Sequence, residues 1–76
     1  MNDTVLDILK GHFGRNKEIL PETNMLNELG ADDLDVVDVI MQIEEQLNIT
    51  IPEDETVDIQ TVQQVLDLVE KHNVQS

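Results

Sequence analysis

The densest concentration of potential chemistry lies mid-chain, where Asp32-Asp33-Leu34-Asp35-Val36-Val37-Asp38 places four carboxylates in seven residues. Calcium coordination, acid–base catalysis and weak divalent binding all draw on such groups. A calcium loop begun at Asp33 puts Asp38 at its sixth position, where the sharp turn needs Gly, and Glu44 at its twelfth, where Glu belongs. The Glu fits, the Gly fails, and the segment is too apolar for a loop. Paired acids such as Asp32 and Asp33 suit acid–base work, but no nucleophile–base pair or phosphate loop accompanies them. No enzyme is expected. His12 and His72 are distant in sequence and expected at the surface of helix ends, with neither a catalytic nor a metal role. The chain has no Cys, so disulfides and thiolate zinc are excluded. Weak divalent binding remains, with Asp32, Asp35, Glu53 and Asp54 as candidates. It relieves like-charge repulsion, so added magnesium or calcium is expected to raise the melting temperature.

These residues need elements to position them. Val5, Leu6, Ile8, Leu9 and Phe13 recur at helical spacing, predicting a first helix over about Asp3–Phe13, with Asn2, Asp3 or Thr4 as N-cap and Gly14 as stop. A long loop from Arg15 to Asp32 follows, with Leu20, Met25, Leu26 and Leu29 expected to tuck beneath it. The next helix spans about Asp33 to Leu47. Its Val and Ile content favours strand, but its length between turn signals decides for helix. The acids at its start suit the partial positive charge of a helix N-terminus. Asn48 ends it. A short acidic segment, Glu53 to Val57, is expected to make a helical turn or two, with Pro52 at its first position. The last helix runs over about Val62–His72, with Thr61 and Gln64 in capping-box spacing and Val62, Val65, Leu66, Leu68 and Val69 as its apolar stripe. The expected fold is all-α: one domain over residues 1–76, a four-helix bundle of three main helices and one short one.

The helix Asp33–Leu47 carries two apolar stripes. At about 100° per residue, Val36, Val39, Ile40, Ile43 and Leu47 form a core face. Leu34, Val37 and Met41 form a second stripe roughly 140° away. Asp38, Glu44 and Glu45 flank it. Two readings are open: the loop covers the second stripe, or the stripe is a docking surface with an apolar centre, an acidic rim and Met41 as an adaptable contact.

Composition narrows the partners. Seventeen acids face four bases among 76 residues, for a formal net charge of −13. The bases are Lys10, Arg15, Lys17 and Lys71, and fifteen of the acids lie from Glu18 to Glu70, a span without Lys or Arg. Such a surface repels nucleic acid and anionic membrane and attracts basic protein patches. No apolar run reaches the roughly 18–20 residues of a membrane span, and no basic-then-apolar leader is visible. The expectation is a cytoplasmic, monomeric domain with an aliphatic core, Phe13 being its one aromatic.

At Leu29-Gly30-Ala31-Asp32-Asp33-Leu34-Asp35 the chain resembles the acyl carrier proteins of type II fatty acid and polyketide synthesis, whose signature there is Leu-Gly-x-Asp-Ser-Leu-Asp. The resemblance extends to the length, the acidity, the long first loop, Glu44-Glu45, Ile51-Pro52-Glu53-Asp54-Glu55 and Thr61-Val62. It implies an acyl-carrier-protein-like bundle whose signature Ser bears 4′-phosphopantetheine. The arm's thiol holds the acyl chain, which lies in a cleft between helices. It also implies a recognition helix read by basic-patched synthase enzymes, with Leu34, Asp35, Val37, Asp38, Met41, Glu44 and Glu45 at matching positions. A phosphopantetheinyl transferase is a further implied partner.

The chain departs from that signature at the attachment position, which holds Asp33; its one Ser is Ser76. Arm transfer needs a hydroxyl to attack the pyrophosphate of coenzyme A, whereas a carboxylate gives a labile mixed acyl phosphate. No cofactor is therefore expected on the chain as written, and 4′-phosphopantetheine is expected if Asp33 were Ser. Asp33 also has a local rationale, worth about 0.5–1 kcal/mol through capping and the helix dipole. It arose by drift once the arm was dispensable or by deliberate replacement. The functional expectation is a carrier or carrier-like protein in an apo-like form that still docks to partners. The alternative is an interaction or regulatory module derived from the carrier fold.

Overall fold

The structure, a computed structural model, describes residues 3–73. Asn2 and Ser76 lie outside them. Four α-helices run in the order α1 (Asp3–Phe13), α2 (Met25–Glu28), α3 (Asp33–Leu47) and α4 (Val62–His72), with a 3₁₀ turn at Glu53–Glu55 before α4. No strand occurs among the described residues; the nearest approach is an isolated antiparallel bridge between Asn24 and Thr61. The all-α bundle expected from the hydrophobic periodicity is the one observed.

One aliphatic core joins these elements. Val5, Ile8 and Leu9 of α1 meet Val36, Val39, Ile40 and Ile43 of α3 and Val62, Val65 and Val69 of α4. Leu47, Leu66 and Leu68 pack at its margin, half-buried. Cores of this kind lose about 2–5 kcal/mol on truncation of a buried Ile or Leu to Ala, a large share of a small domain's total stability.

The C-terminal end of α3 and the start of α4 follow their sequence signals. Asp32 caps α3 with extended backbone, and Asn48 closes it in the left-handed region at φ 55°. Thr61 and Gln64 form the capping box of α4. Helix α1 stops at Gly14, whose φ of 132° disfavours a side chain.

The loop between α1 and α3 departs from expectation in two ways. Met25–Glu28 forms a single helical turn, capped by the Asn24 side chain, which accepts from the Leu26 and Asn27 amides. And Ile19, not Leu20, is the loop's first core anchor: Ile19 is buried while Leu20 is exposed. The Leu20 amide donates to the buried Thr23 hydroxyl at 2.9 Å. Met25, Leu26 and Leu29 do pack against the core. The loop is stitched to the start of α4 by Met25 N–H to Gln60 O at 2.7 Å, Val62 N–H to Thr23 O at 3.0 Å and Gln63 N–H to Pro21 O at 2.8 Å. The acidic segment is also shorter than expected: the turn ends at Glu55, and Pro52 precedes it rather than opening it.

Candidate docking and attachment site

The start of α3 is set by the turn before it. The Leu29 and Ala31 amides both donate to Met25 O, and Ala31 is buried. Gly30 between them has φ 70°, while a Cβ there would meet no atom within 4 Å. Glycine is favoured there by the dihedral, not by space. The chain then enters α3 through a reciprocal capping box: Asp35 N–H donates to Asp32 Oδ1 at 3.0 Å, and Asp32 N–H donates to Asp35 Oδ2 at 3.2 Å. Asp33 is thereby the first residue of the helix, exposed, where the N-terminal partial charge favours an anion.

The second stripe is uncovered. Leu34 is 73% exposed, Val37 46% and Met41 55%. The long loop packs elsewhere, against α4, which answers why it leaves this face open. Asp33, Asp38 and Glu45 are exposed around the stripe. Val57, 75% exposed, lines a groove with Asp33, Val36 and Val37. Val57 was not singled out from the sequence, where its signal is an apolar residue within Glu53-Asp54-Glu55-Thr56-Val57-Asp58.

The groove continues along α3. A cavity of about 340 Å³ is lined by Val37, Ile40, Met41, Glu44, Ile51, Glu53 and Thr56, and shares Val37, Glu53 and Thr56 with the groove at Asp33. Its floor is apolar, because Ile40 and Ile51 belong to the core.

Two of the expected rim carboxylates are engaged inside the molecule. Glu44 is half-buried and accepts from Ile51 N–H at 2.8 Å, tying the segment after α3 back to the helix. Asp35 accepts at Oδ1 from His12 Nε2, 3.0 Å away at the end of α1. The His12 hydrogen bond first, and the Asp32 amide second, hold the Asp35 carboxyl below its ordinary value. His12 was expected as a plain surface residue; its side chain is 19% exposed, packed edge-on against Phe13 and bonded to Asp35. His72 differs in the same way: it is half-buried and donates to Glu55 at 3.1 Å. Glu55 also receives Lys71 at 2.9 Å, and the Lys71 bond first, then His72, lowers its pKa.

Among the described residues no group of three or more His, Cys, Asp or Glu side chains is placed to hold a metal. Asp32 and Asp35 face each other through the capping box, and Glu53 and Asp54 are exposed on the 3₁₀ turn. Asp33, the first residue of α3, offers a carboxylate, whereas arm attachment calls for a hydroxyl, and no Ser or Thr stands in Asp32–Leu47. Thr56, the hydroxyl lining the groove, donates to Glu53 O at 2.7 Å. The residues present do not fit an attached phosphopantetheine.

Comparison with known proteins gives this geometry a context. Residues 3–69 match the family described as "Phosphopantetheine attachment site". The chain is 38% identical over 73 residues to an acyl carrier protein of Syntrophobacter fumaroxidans, covering 95% of this chain and 90% of the relative. It is 40% identical over 72 residues to an acyl carrier protein of Chlorobium phaeovibrioides, covering 93% and 92%. The same identity over 72 residues relates it to an acyl carrier protein of Amoebophilus asiaticus, covering 93% and 90%.

Proposed function

The chain belongs to the acyl carrier protein family, whose members are carriers and not enzymes, and from that premise we propose that it is an arm-less carrier that keeps the docking face of α3. The family's prosthetic group is 4′-phosphopantetheine. Asp33 stands at the position of the arm-bearing Ser, so the protein stays in an apo-like form. Its partners are basic-patched enzymes of acyl-chain synthesis and the phosphopantetheinyl transferase. It works as a monomer in the cytoplasm; no helix among the described residues is long and apolar enough to cross a membrane.

The single observation that carries this reading is the uncovered stripe Leu34, Val37 and Met41 beside exposed Asp33, Asp38 and Glu45. An apolar centre supplies affinity, and an acidic rim steers cationic partners and raises their association rate. The groove from Asp33 towards Ile51 is the place an acyl chain would enter if an arm were present. Weak divalent binding at Asp32, Asp35, Glu53 and Asp54 belongs to the same reading, as relief of crowded negative charge.

A non-carrier interaction module is the second reading, and Asp33 itself favours it, since a protein that only docks has no use for a hydroxyl there. A competition experiment tests the docking. Unlabelled chain is added to a transferase reaction that loads the arm onto the Asp33→Ser variant. Docking predicts that excess chain slows loading, and that Met41→Glu in the added chain removes the inhibition. Loading at an unchanged rate under excess chain contradicts it.

A further inference from the structure

Between the buried Ile51 and Ile59, residues 52–58 run along the surface, exposed or half-buried throughout. We propose that Glu55 is a positioning residue for the docking surface: its bonds to the end of α4 fix this segment, which adds Val57 and Glu53 to the face offered by α3. The proposal rests on the docking reading and deepens it, because the surface becomes one of two pieces.

The turn inside the segment is closed locally, by the Glu55 amide on Pro52 O and by the Thr56 amide and hydroxyl on Glu53 O. Such bonds shape a turn without holding it to the helices. Glu55 reaches outward. Its Oε1 accepts from Lys71 Nζ at 2.9 Å and from His72 Nε2 at 3.1 Å, 16 and 17 positions along the chain. Both donors sit in the last turn of α4, just after the buried Val69, so the far end of the tie is anchored in the core. The Glu55 side chain is 25% exposed, which shields the pair in part from salt. On one side of the segment, Glu55 and Ile59 line a groove with Leu68 and Lys71 of α4. On the other, Glu53, Thr56 and Val57 line the groove with Asp33, Val36 and Val37 of α3. Glu55 therefore sets how far the segment stands from α3, and with it the width of the groove.

The occupant this geometry fits is a basic partner protein. Its apolar side chain enters the groove that Val37 and Val57 line, and its Lys or Arg side chains meet the exposed Asp33 and Glu53. With the tie cut, such a partner has to order the segment as it binds, and affinity falls by that cost.

NMR relaxation and competition for the transferase test this together. Order parameters of residues 53–58 are expected near the rigid value of about 0.85 in the chain and below about 0.6 in Glu55→Ala, with α3 unchanged. Glu55→Gln keeps an acceptor for Lys71 and should recover part of the order. In the competition assay, the concentration of added chain that halves loading of the Asp33→Ser variant should rise about two- to fivefold for Glu55→Ala, the range of a part-exposed ion pair. Val57→Ser should act similarly, and the double variant should do no worse than either, because Glu55 acts through the placement of Val57. Residues 53–58 that stay rigid in Glu55→Ala, or losses that add in the double variant, overturn the proposal alone. Loading unslowed by the unaltered chain removes the docking reading and this proposal with it.

Discussion

Glu44 and Glu45 are adjacent in sequence and differently placed. Glu44 accepts from the Ile51 amide, whereas Glu45 is exposed on the helix surface. Glu44→Ala leaves an incompletely buried amide unpaired and is expected to cost about 1 kcal/mol in urea denaturation. Glu45→Gln and Asp38→Asn are expected to change stability by less than about 0.5 kcal/mol; their effect falls on association with a basic partner, read as a slower on-rate whose gap closes at high salt. Equal stability losses in all three would mean that the partition between tethered and free carboxylates is wrong. Asp35 and Glu55 supply a pH prediction. Each has a lowered folded-state pKa, Asp35 chiefly through His12 and Glu55 chiefly through Lys71. A lowered pKa stabilises the fold above the unfolded-state value, and that contribution is lost as pH falls through the folded value. The stability gap between the chain and Asp35→Asn or Glu55→Gln should therefore narrow as pH drops below the ordinary carboxylate range. A gap that holds constant into strong acid contradicts the pairing. The types of these residues were legible in the sequence. Their partners were not, because His12 meets Asp35 across 23 positions and only the packing of α1 on α3 brings them together.

At the scale of elements, the three long helices run as their periodicity predicted, from Asp3 to Phe13, Asp33 to Leu47 and Val62 to His72. Each had enough turns to show an apolar stripe, and α4 had a side-chain cap readable by spacing, whereas the Asp32–Asp35 box of α3 was not singled out. Helix α2 escaped, because four residues show no period. Its turn is held by the Asn24 cap and by pairing with the start of α4, a contact that no local pattern announces. Ile19 was missed for a similar reason: in a loop, nothing local says which of two adjacent aliphatics turns inward. The same elements make two stability predictions. Gly30→Ala forces a side chain into the left-handed region and should cost about 1–2 kcal/mol. Asn24→Ala removes the α2 cap and should cost about 1 kcal/mol. Urea denaturation reads both, and a neutral Gly30→Ala would mean that the turn before α3 relaxes without strain.

For the whole molecule, the decisive quantity is a net charge of −13 on 76 residues, with the fifteen acids from Glu18 to Glu70 unrelieved by Lys or Arg in that span. Self-repulsion of this size opposes compaction, and the core that resists it is small and aliphatic. Millimolar magnesium is therefore expected to raise the melting temperature, and monovalent salt to do so at higher concentration. A melting curve unmoved by either would show that repulsion does not limit this fold. Charge also restricts company: the described faces offer basic proteins an apolar stripe inside an acidic rim, and offer a polyanion only repulsion. On the proposed function, one residue, Asp33, separates this chain from a loadable carrier while the fold and docking face remain. The most direct measurement is intact mass after incubation with coenzyme A and a broad-specificity phosphopantetheinyl transferase, on this chain and on Asp33→Ser in parallel. The Ser variant alone is expected to gain the mass of the arm. Gain by the unaltered chain, or by neither protein, would contradict it.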